Sequence, residues 1–138
     1  MEEFISNSEI DTLNFASDFA KTLKAGDIVL LDGDLGAGKT VFSKGVVSAL
    51  SNEKIIAVSP TFVIVNTYDC DVPVYHFDLY RIKDERELEA IGYEEYFYGD
   101  GICLVEWPVR AENIFPSYAI KVYIEKINEE SRRIKVER

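Results

Sequence analysis

The chain has 138 residues, 47% of them hydrophobic, which is enough to bury the core of one globular domain. Its formal net charge of −10 argues against tight binding to a nucleic-acid backbone by this chain alone, because such binding needs Lys and Arg to displace counterions. No apolar stretch approaches the roughly 20 residues of a membrane span, and the opening letters MEEFISNSEI lack the basic and apolar regions of a signal peptide. We therefore expect a cytoplasmic protein in which Cys70 and Cys103 are reduced.

Apolar periodicity predicts helices and strands in alternation along the chain. Residues 8–24 carry apolar side chains at helical spacing, with Ser8 as the N-cap and Gly26 just beyond the end. The run IVLLD at 28–32 lacks alternation, as expected of a buried parallel strand, and a helix after the glycine-rich loop extends to about Leu50. The later predicted elements are a strand over 54–58, two strands joined by a turn at 69–73, a helix over 84–97, a strand over 102–107 and a hairpin of 118–127 with 131–137. This order predicts a single-domain α/β layered fold whose mixed, mainly parallel central sheet is flanked by helices.

Residues 33–40, GDLGAGKT, match the phosphate-loop pattern GxxxxGK[ST] at every fixed position. Glycines let backbone N–H groups approach phosphate oxygens, and the helix that follows adds unpaired N–H groups and its positive end. Lys39 would neutralise phosphate charge, and the Thr40 hydroxyl would ligate Mg²⁺. The alternative, a strand-to-helix turn without a ligand, is disfavoured by the predicted strand before the loop and the predicted helix after it. We expect residues 1–138 to form one P-loop NTPase-like domain that binds ATP or ADP.

Two predicted strands end in an acidic residue. VYHFD ends at Asp78, and ICLVE ends at Glu106. Hydrolysis needs acids that hold Mg²⁺ and orient water, and ligands of open α/β sheets bind at the carboxyl ends of strands. Either acid could therefore be the metal-binding carboxylate, and the alternative for each is a solvated acid at a strand end.

Three further features have open interpretations. The segment SPTF, which includes Ser59 and Thr61, could reach the γ-phosphate as a switch-like loop, or it could be a turn with Pro60 at its corner. His76 is the only histidine, and its position inside a predicted strand favours packing or hydrogen bonding over catalysis. Trp107 directly follows Glu106, and packing is its default interpretation.

Taken together, these motifs resemble the TsaE (YjeE) family of small bacterial ATPases. The resemblance rests on GDLGAGKT, SPTF followed by VNTY, YHFDLYR, ELEAIGYEEYF and ICLVEWP, in that order and spacing, from about Ser8 to Pro108. It implies a Mg²⁺-dependent ATPase, weak alone, that is needed for the threonylcarbamoyl modification at adenosine 37 of tRNAs reading codons that begin with A. The implied partners are TsaD, which is the transferase, and TsaB, and hydrolysis would reset or activate that pair. The partners would hold the tRNA, which suits the acidic charge of this chain.

The resemblance also implies roles for individual positions. The phosphates would lie against Leu35, Gly36, Ala37, Gly38, Lys39 and Thr40. Mg²⁺ would be held by Thr40 and Glu106, while Asp78, acting with Lys39, would serve hydrolysis by positioning water or metal. The other implied contacts are the switch-like loop at Ser59 and Thr61, the adenine side at Ser8 and Glu9, and one of Arg132 and Arg133, with Arg132 as the working choice.

Two other functions remain open at this point. A small P-loop kinase shares the phosphate loop but needs an acceptor pocket and usually an Arg-rich lid, and no lid segment is evident in the sequence. A regulatory subunit that binds nucleotide without hydrolysing it would carry the same loop. The pairing of Asp78 with Glu106 favours hydrolysis over that second alternative.

Overall fold

A seven-stranded sheet forms the centre of the computed structural model, which describes residues 2–34, 36–58 and 64–138. Within these ranges the strands are β1 (Glu2–Ser6), β2 (Ile28–Asp32), β3 (Val65–Tyr68), β4 (Val74–Asp78), β5 (Ile102–Glu106), β6 (Ile120–Lys126) and β7 (Arg132–Glu137). The helices are α1 (Glu9–Ala20), α2 (Lys39–Leu50), α3 (Arg86–Ala90) and α4 (Tyr93–Phe97), and a 3-10 helical segment spans Pro108–Ile114. None of the helices in these ranges is long and apolar enough to cross a membrane.

The strand order is β1-β7-β6-β2-β5-β4-β3. The four central strands, β6, β2, β5 and β4, pair in parallel, whereas β1 with β7, β7 with β6 and β3 with β4 pair antiparallel. Only β3 and β7, among the strands of the described ranges, therefore run against the direction of the others. This confirms the predicted mixed, mainly parallel sheet.

Helices cover both faces of the sheet, as predicted. On one face α1 and α2 bury a core that includes Phe19 and Phe42 against Leu31 of β2. On the other face α3, α4 and the 3-10 segment bury a second core around Phe77 and Phe97. Central strands buried on both faces read as continuous apolar runs, which is why β2 and β5 show no alternation in the sequence.

The two helices on the first face cross at close range. A Cβ atom added to Gly45 of α2 would lie 2.7 Å from the Cβ of Ala16 and 2.9 Å from the carbonyl oxygen of Leu13, both on α1. A side chain at this position would therefore force the helices apart. Because α2 begins at Lys39, this crossing also sets the position of the residues that follow the phosphate loop.

Most predicted elements are confirmed. Helix α1 begins after Ser8, whose Oγ accepts a hydrogen bond of 3.1 Å from the backbone N–H of Asp11, although the helix ends at Ala20 rather than at residue 24. Strands β2 and β5, the β3–β4 pair and the closing β6–β7 hairpin all lie where the sequence pattern placed them.

The predicted strand over 54–58 is wrong. Both neighbours of β2 are taken by β5 and β6, and this segment runs outside the sheet, with Ile56 78% exposed and Val58 58% exposed. Side chains of β3 instead bond to the backbone of this segment's last residue, Val58. The Tyr68 hydroxyl accepts from the N–H of Val58 and donates to its carbonyl, and the Asn66 amide donates to that same carbonyl.

The single helix predicted over 84–97 is also wrong, because two short helices occupy the segment. They are separated at Gly92, which adopts a left-handed φ of 71° that interrupts a helix and that glycine tolerates. Two further elements were not predicted from the sequence: β1, whose two acidic residues hide its strand character, and the 3-10 segment after β5.

Candidate nucleotide site

A cavity of about 1190 Å³ lies at the carboxyl ends of the central parallel strands. Its walls come from the phosphate loop, the start of α1, the residues after β4 and β5, and the β6–β7 hairpin. Of the predicted site residues, those that line it are Ser8, Glu9, Gly36, Gly38, Lys39, Thr40, Asp78, Glu106 and Arg132. Leu35, Ser59 and Thr61 lie outside the described residues.

The phosphate loop connects β2 to α2 and has a backbone that its glycines allow. Gly36 and Gly38 have φ values of 81° and 108°, in the left-handed region that L side chains rarely adopt. Gly33 is needed for space rather than for conformation, since a Cβ there would lie 2.5 Å from the carbonyl oxygen of Ile124 in β6. The N–H of Ala37 donates to the carbonyl of Asp34 inside the loop at 2.9 Å, and the buried Ala37 does not line the cavity.

Lys39 is held against its own loop. Its Nζ donates to the carbonyl oxygens of Gly33 and of Asp34, the second at 3.0 Å, and it lies 4.0 Å from the centre of the Trp107 ring. The side chain is almost fully buried, and burial lowers the pKa of Lys39, while the nearby carboxylate of Glu106 opposes that shift. A buried ammonium group satisfied by carbonyls and an aromatic face can exchange these partners for phosphate oxygens.

Asp78 and Glu106 lie side by side in the register of neighbouring parallel strands, β4 and β5. Glu106 is buried, and Asp78 is partly buried, with its Oδ1 accepting a hydrogen bond of 3.0 Å from the N–H of Tyr80. Burial raises the pKa of Asp78, and the charge of Glu106 raises it further, against the opposing effects of the Tyr80 N–H and of Lys39. The two acids predicted from the strand ends therefore share one site.

His76 is bonded directly to one of these acids. Its Nε2 lies 2.5 Å from Oε2 of Glu106, and both side chains are buried, at 0% and 4% exposed. The two residues are on the same face of the sheet, because His76 pairs in register with Leu104, two positions before Glu106. The sequence-based preference for a packed or hydrogen-bonded histidine agrees with this position, but the sequence did not identify the partner.

Trp107 was expected to serve only in packing, but it contacts Lys39 and lines the cavity. It adopts a left-handed φ of 60°, which is uncommon for a bulky residue, and its ring lies 4.8 Å from the ring of Tyr80 and beneath Lys39. Both aromatic residues line the cavity. The sequence signal for them was their place in the motifs YHFDLYR and ICLVEWP, where Tyr80 is the second residue after β4 and Trp107 is the first residue after β5.

The two arginines of the last hairpin face opposite sides of the sheet. Arg132 donates from Nε to the carbonyl of Ala37 at 2.9 Å and from Nη1 to the carbonyl of Asn128 at 2.7 Å, so it bridges the phosphate loop and the hairpin turn. Arg133 instead lies near Glu3 and Glu125 on the other side. Of the two, only Arg132 lines the cavity.

The start of α1 forms the wall opposite the central strands. The Ser8 hydroxyl caps the helix, and Glu9 is exposed in its first turn. The buried hydroxyls of Ser6, at the end of β1, and of Thr12 lie 2.7 Å apart, and Thr12 also lines the cavity.

The oxygen donors of this cavity fit a Mg²⁺ ion bound together with phosphates. Mg²⁺ is usually held by one or two carboxylates plus substrate phosphates rather than by an all-protein cage. Glu106 supplies a buried carboxylate and Thr40 a hydroxyl, and both line the cavity. Across the described residues, no group of three His, Cys, Asp or Glu side chains is arranged to hold a metal by itself. A metal held by Glu106 and Thr40 would therefore need further oxygen ligands, which phosphate groups can supply.

Comparison with known protein families agrees with the motifs. A family model described as "Threonylcarbamoyl adenosine biosynthesis protein TsaE" matches residues 6–134.

The chain belongs to the TsaE family.

Among its relatives is a Bacillus subtilis (strain 168) protein that is 44% identical over 112 residues, which are 80% of this chain and 69% of the relative. Another, from Rickettsia bellii, is 40% identical over 129 residues, which are 93% of this chain and 89% of the relative. Both are named "tRNA threonylcarbamoyladenosine biosynthesis protein TsaE". The crystal structure of Bacillus subtilis YdiB superposes with a TM-score of 0.80 at 34% identity, covering 96% of this chain and 82% of that one. The resemblance noted in the sequence and the α/β fold predicted from it are therefore confirmed.

Proposed function

We propose that this TsaE-family protein binds and hydrolyses MgATP as an accessory protein of tRNA threonylcarbamoyladenosine biosynthesis. The family match and the names of the relatives support the place in that pathway. The observation that carries the ATPase proposal is the convergence of four groups on one cavity: the phosphate loop, Lys39, Asp78 and Glu106. These are the parts that phosphoryl transfer needs.

Nucleotide binding would use the loop and the start of α2. Backbone N–H groups and the positive end of α2 would attract the phosphates. The Lys39 Nζ would exchange its hydrogen bonds to the carbonyls of Gly33 and Asp34 for hydrogen bonds to phosphate oxygens. Thr40 and Glu106 would hold Mg²⁺, which when bound neutralises charge on the β- and γ-phosphates. Ser8 and Glu9 would face the adenine, and Arg132 would approach the nucleotide from the hairpin.

Asp78 would act on the attacking water. Its carboxylate stands next to Glu106 in the register of the strands, so a group bonded to Asp78 lies beside the proposed metal position. The Tyr80 N–H fixes one carboxylate oxygen, which orients the group to accept a proton or a hydrogen bond from water. Lys39 and the loop N–H groups would stabilise the charge that develops on the transferred phosphoryl group.

The product of this cycle would be a change in partner proteins rather than a modified small molecule. We propose that TsaD and TsaB are those partners and that hydrolysis resets or activates them. With a net charge of −10, this chain would meet tRNA only through that complex. The uncovered aromatic surface of Tyr80, 41% exposed at the cavity, is suited to a contact that couples a partner to the nucleotide.

The test is ATP hydrolysis by the purified protein, alone and with TsaB and TsaD, for the wild type and for Asp78→Asn. We expect the partners to raise turnover, and we expect Asp78→Asn to lose about 10²–10⁴-fold in rate while it still binds ATP. Asp69→Asn is the matched control, because Asp69 is an exposed acid in the turn that precedes β4, at the end of that strand opposite to Asp78.

Each other result selects a different function. Nucleotide binding without hydrolysis, even with both partners present, would replace the ATPase by a regulatory nucleotide-binding subunit. Transfer of the γ-phosphate to an added nucleoside would identify a kinase. Equal loss of rate in Asp69→Asn and Asp78→Asn would show that the effect comes from charge or folding and not from the site.

A further inference from the structure

His76 is the only histidine of the chain, and it is completely buried in the central sheet. Within the described residues its polar contact is with Glu106, at 2.5 Å from Nε2 to Oε2. No hydrogen-bond partner of Nδ1 is found in those ranges, and the nearest ring is that of Tyr68, with centroids 6.2 Å apart. The imidazole is therefore anchored at one end.

The direction of this hydrogen bond follows from the chemistry of the two groups. An ionised carboxylate can only accept a hydrogen bond, so with Glu106 ionised the Nε2–H group of His76 is the donor. This contact restrains the orientation of the carboxylate, whose backbone is already fixed at the end of β5. His76 thus restrains the Glu106 carboxylate from inside the core, while Glu106 also lines the cavity.

A buried imidazole that has, among the residues the structure describes, a hydrogen-bond partner at only one nitrogen is a costly way to fill space in a core. An apolar side chain of similar size would avoid desolvating two ring nitrogens. Its neighbours include Val74 and Leu104, which are apolar and equally buried, and Asn66 and Tyr68 of β3. Within the described residues, however, the hydrogen bond of its ring goes to Glu106. The arrangement instead matches the outer-shell partners that orient metal-binding carboxylates.

We propose that His76 is a positioning residue that holds the Glu106 carboxylate in the orientation needed to bind Mg²⁺. This inference rests on the proposed function, because it takes Glu106 as a ligand of the metal that accompanies the nucleotide. Loss of an outer-shell partner typically weakens metal binding by about 10–100-fold. Removal of the imidazole donor therefore reduces the effect of Mg²⁺ on nucleotide affinity. The affinity measured without Mg²⁺ should stay nearly unchanged, because the phosphate loop is intact.

The experiment is calorimetric titration of ADP into the purified protein, once with Mg²⁺ and once with a chelator. The variants are His76→Leu and His76→Met, which remove the donor, and His76→Gln, whose amide N–H can replace Nε2. Phe77→Leu is the matched control, since Phe77 is equally buried in β4 but packs on the opposite face. Thermal melting identifies the variants that fold, and either apolar variant is sufficient.

We expect Mg²⁺ to tighten ADP binding in the wild type, in Phe77→Leu and in His76→Gln. In the two apolar variants, the factor by which Mg²⁺ tightens ADP binding should be smaller by about 10-fold or more. Affinity in the chelator should stay within about 3-fold for all of them. In a Glu106→Gln background, His76→Leu should change the Mg²⁺ effect no further, because both substitutions act on the same contact.

The outcomes separate this inference from the proposed function. A normal Mg²⁺ effect in folded His76→Leu or His76→Met overturns the role of His76 and leaves the ATPase proposal standing. An equal loss in Phe77→Leu assigns the effect to β4 packing and overturns the inference as well. Absence of ADP binding by the wild type overturns the proposed function itself.

Discussion

Replacement of Gly45 by alanine tests the close crossing of α1 and α2. Two effects of opposite sign compete at this position. Alanine is a better helix former than glycine by about 0.8–1.0 kcal/mol, which alone would stabilise α2. The new Cβ, however, would lie 2.7 Å from the Cβ of Ala16 and 2.9 Å from the Leu13 carbonyl oxygen. The second neighbour is backbone and cannot turn aside.

Packing should win this competition. Overfilling a tight core costs about 1–3 kcal/mol, and two contacts under 3.0 Å place this site in the upper part of that range. We therefore expect Gly45→Ala to lower the free energy of unfolding by about 1–2 kcal/mol. For 138 residues the entropy of unfolding is about 0.29 kcal/mol per kelvin, so the melting temperature should fall by about 3–7 °C.

The assay is thermal melting, with ADP affinity as a second measurement. Because α2 begins at Lys39, a displaced helix should also weaken ADP binding. Lys44→Ala, on the exposed side of the same helix, is the control and should change stability by less than about 0.5 kcal/mol. A rise of about 3 °C in Gly45→Ala, as helix propensity alone would give, would refute the argument.

Two further predictions concern the cavity. Asp78→Asn keeps the hydrogen bond from the Tyr80 N–H but removes a charge whose pKa is raised by burial and by Glu106. Because the pKa of Asp78 is raised in the folded protein, the wild type loses stability as the pH rises through that pKa. The variant should therefore have a higher melting temperature than the wild type at pH 7–8, and the difference should disappear toward about pH 4. Thermal melting of both proteins across this pH range checks the prediction. Arg132→Gln should weaken ADP binding by roughly 10-fold or more, by loss of charge-assisted bonds to the loop and the hairpin turn, whereas Arg133→Gln should not; equal effects in titration would contradict this.

The features that could be predicted from the sequence are those that short sequence patterns determine. The phosphate loop is a continuous pattern, and Asp78 and Glu106 could be placed together because parallel strands end at one edge of a sheet. Ser8 was recognisable as an N-cap from its own neighbours. Such features depend on a few adjacent residues or on a general rule of parallel sheets, so a single sequence contains the information.

The parts that the sequence did not predict depend on distant residues. Residues 54–58 have strand propensity, but both positions beside β2 are taken by β5 and β6, and only the topology shows that. The hydrogen bond between His76 and Glu106 spans 30 positions, and the cation–π contact of Lys39 with Trp107 joins the start of α2 to the residue after β5. Which of Arg132 and Arg133 faces the loop is a question of strand register, since successive residues point to opposite faces.

The pairing of β1 with β7 brings the first and the last strands of the chain together beside the cavity. Ser6 pairs in register with Arg132, and Asn7 contacts Ser131, so residues from the two ends of the chain meet beside the cavity that Arg132 lines. Contacts of such separation close late in folding because of their loop entropy, and β1 lies at the edge of the sheet, where opening is easiest. A ligand held between α1 and Arg132 would bind only the closed form and would therefore tie down that edge. Amide hydrogens of β1 should then exchange with solvent more slowly when nucleotide is bound, although β1 itself supplies no residue of the phosphate loop.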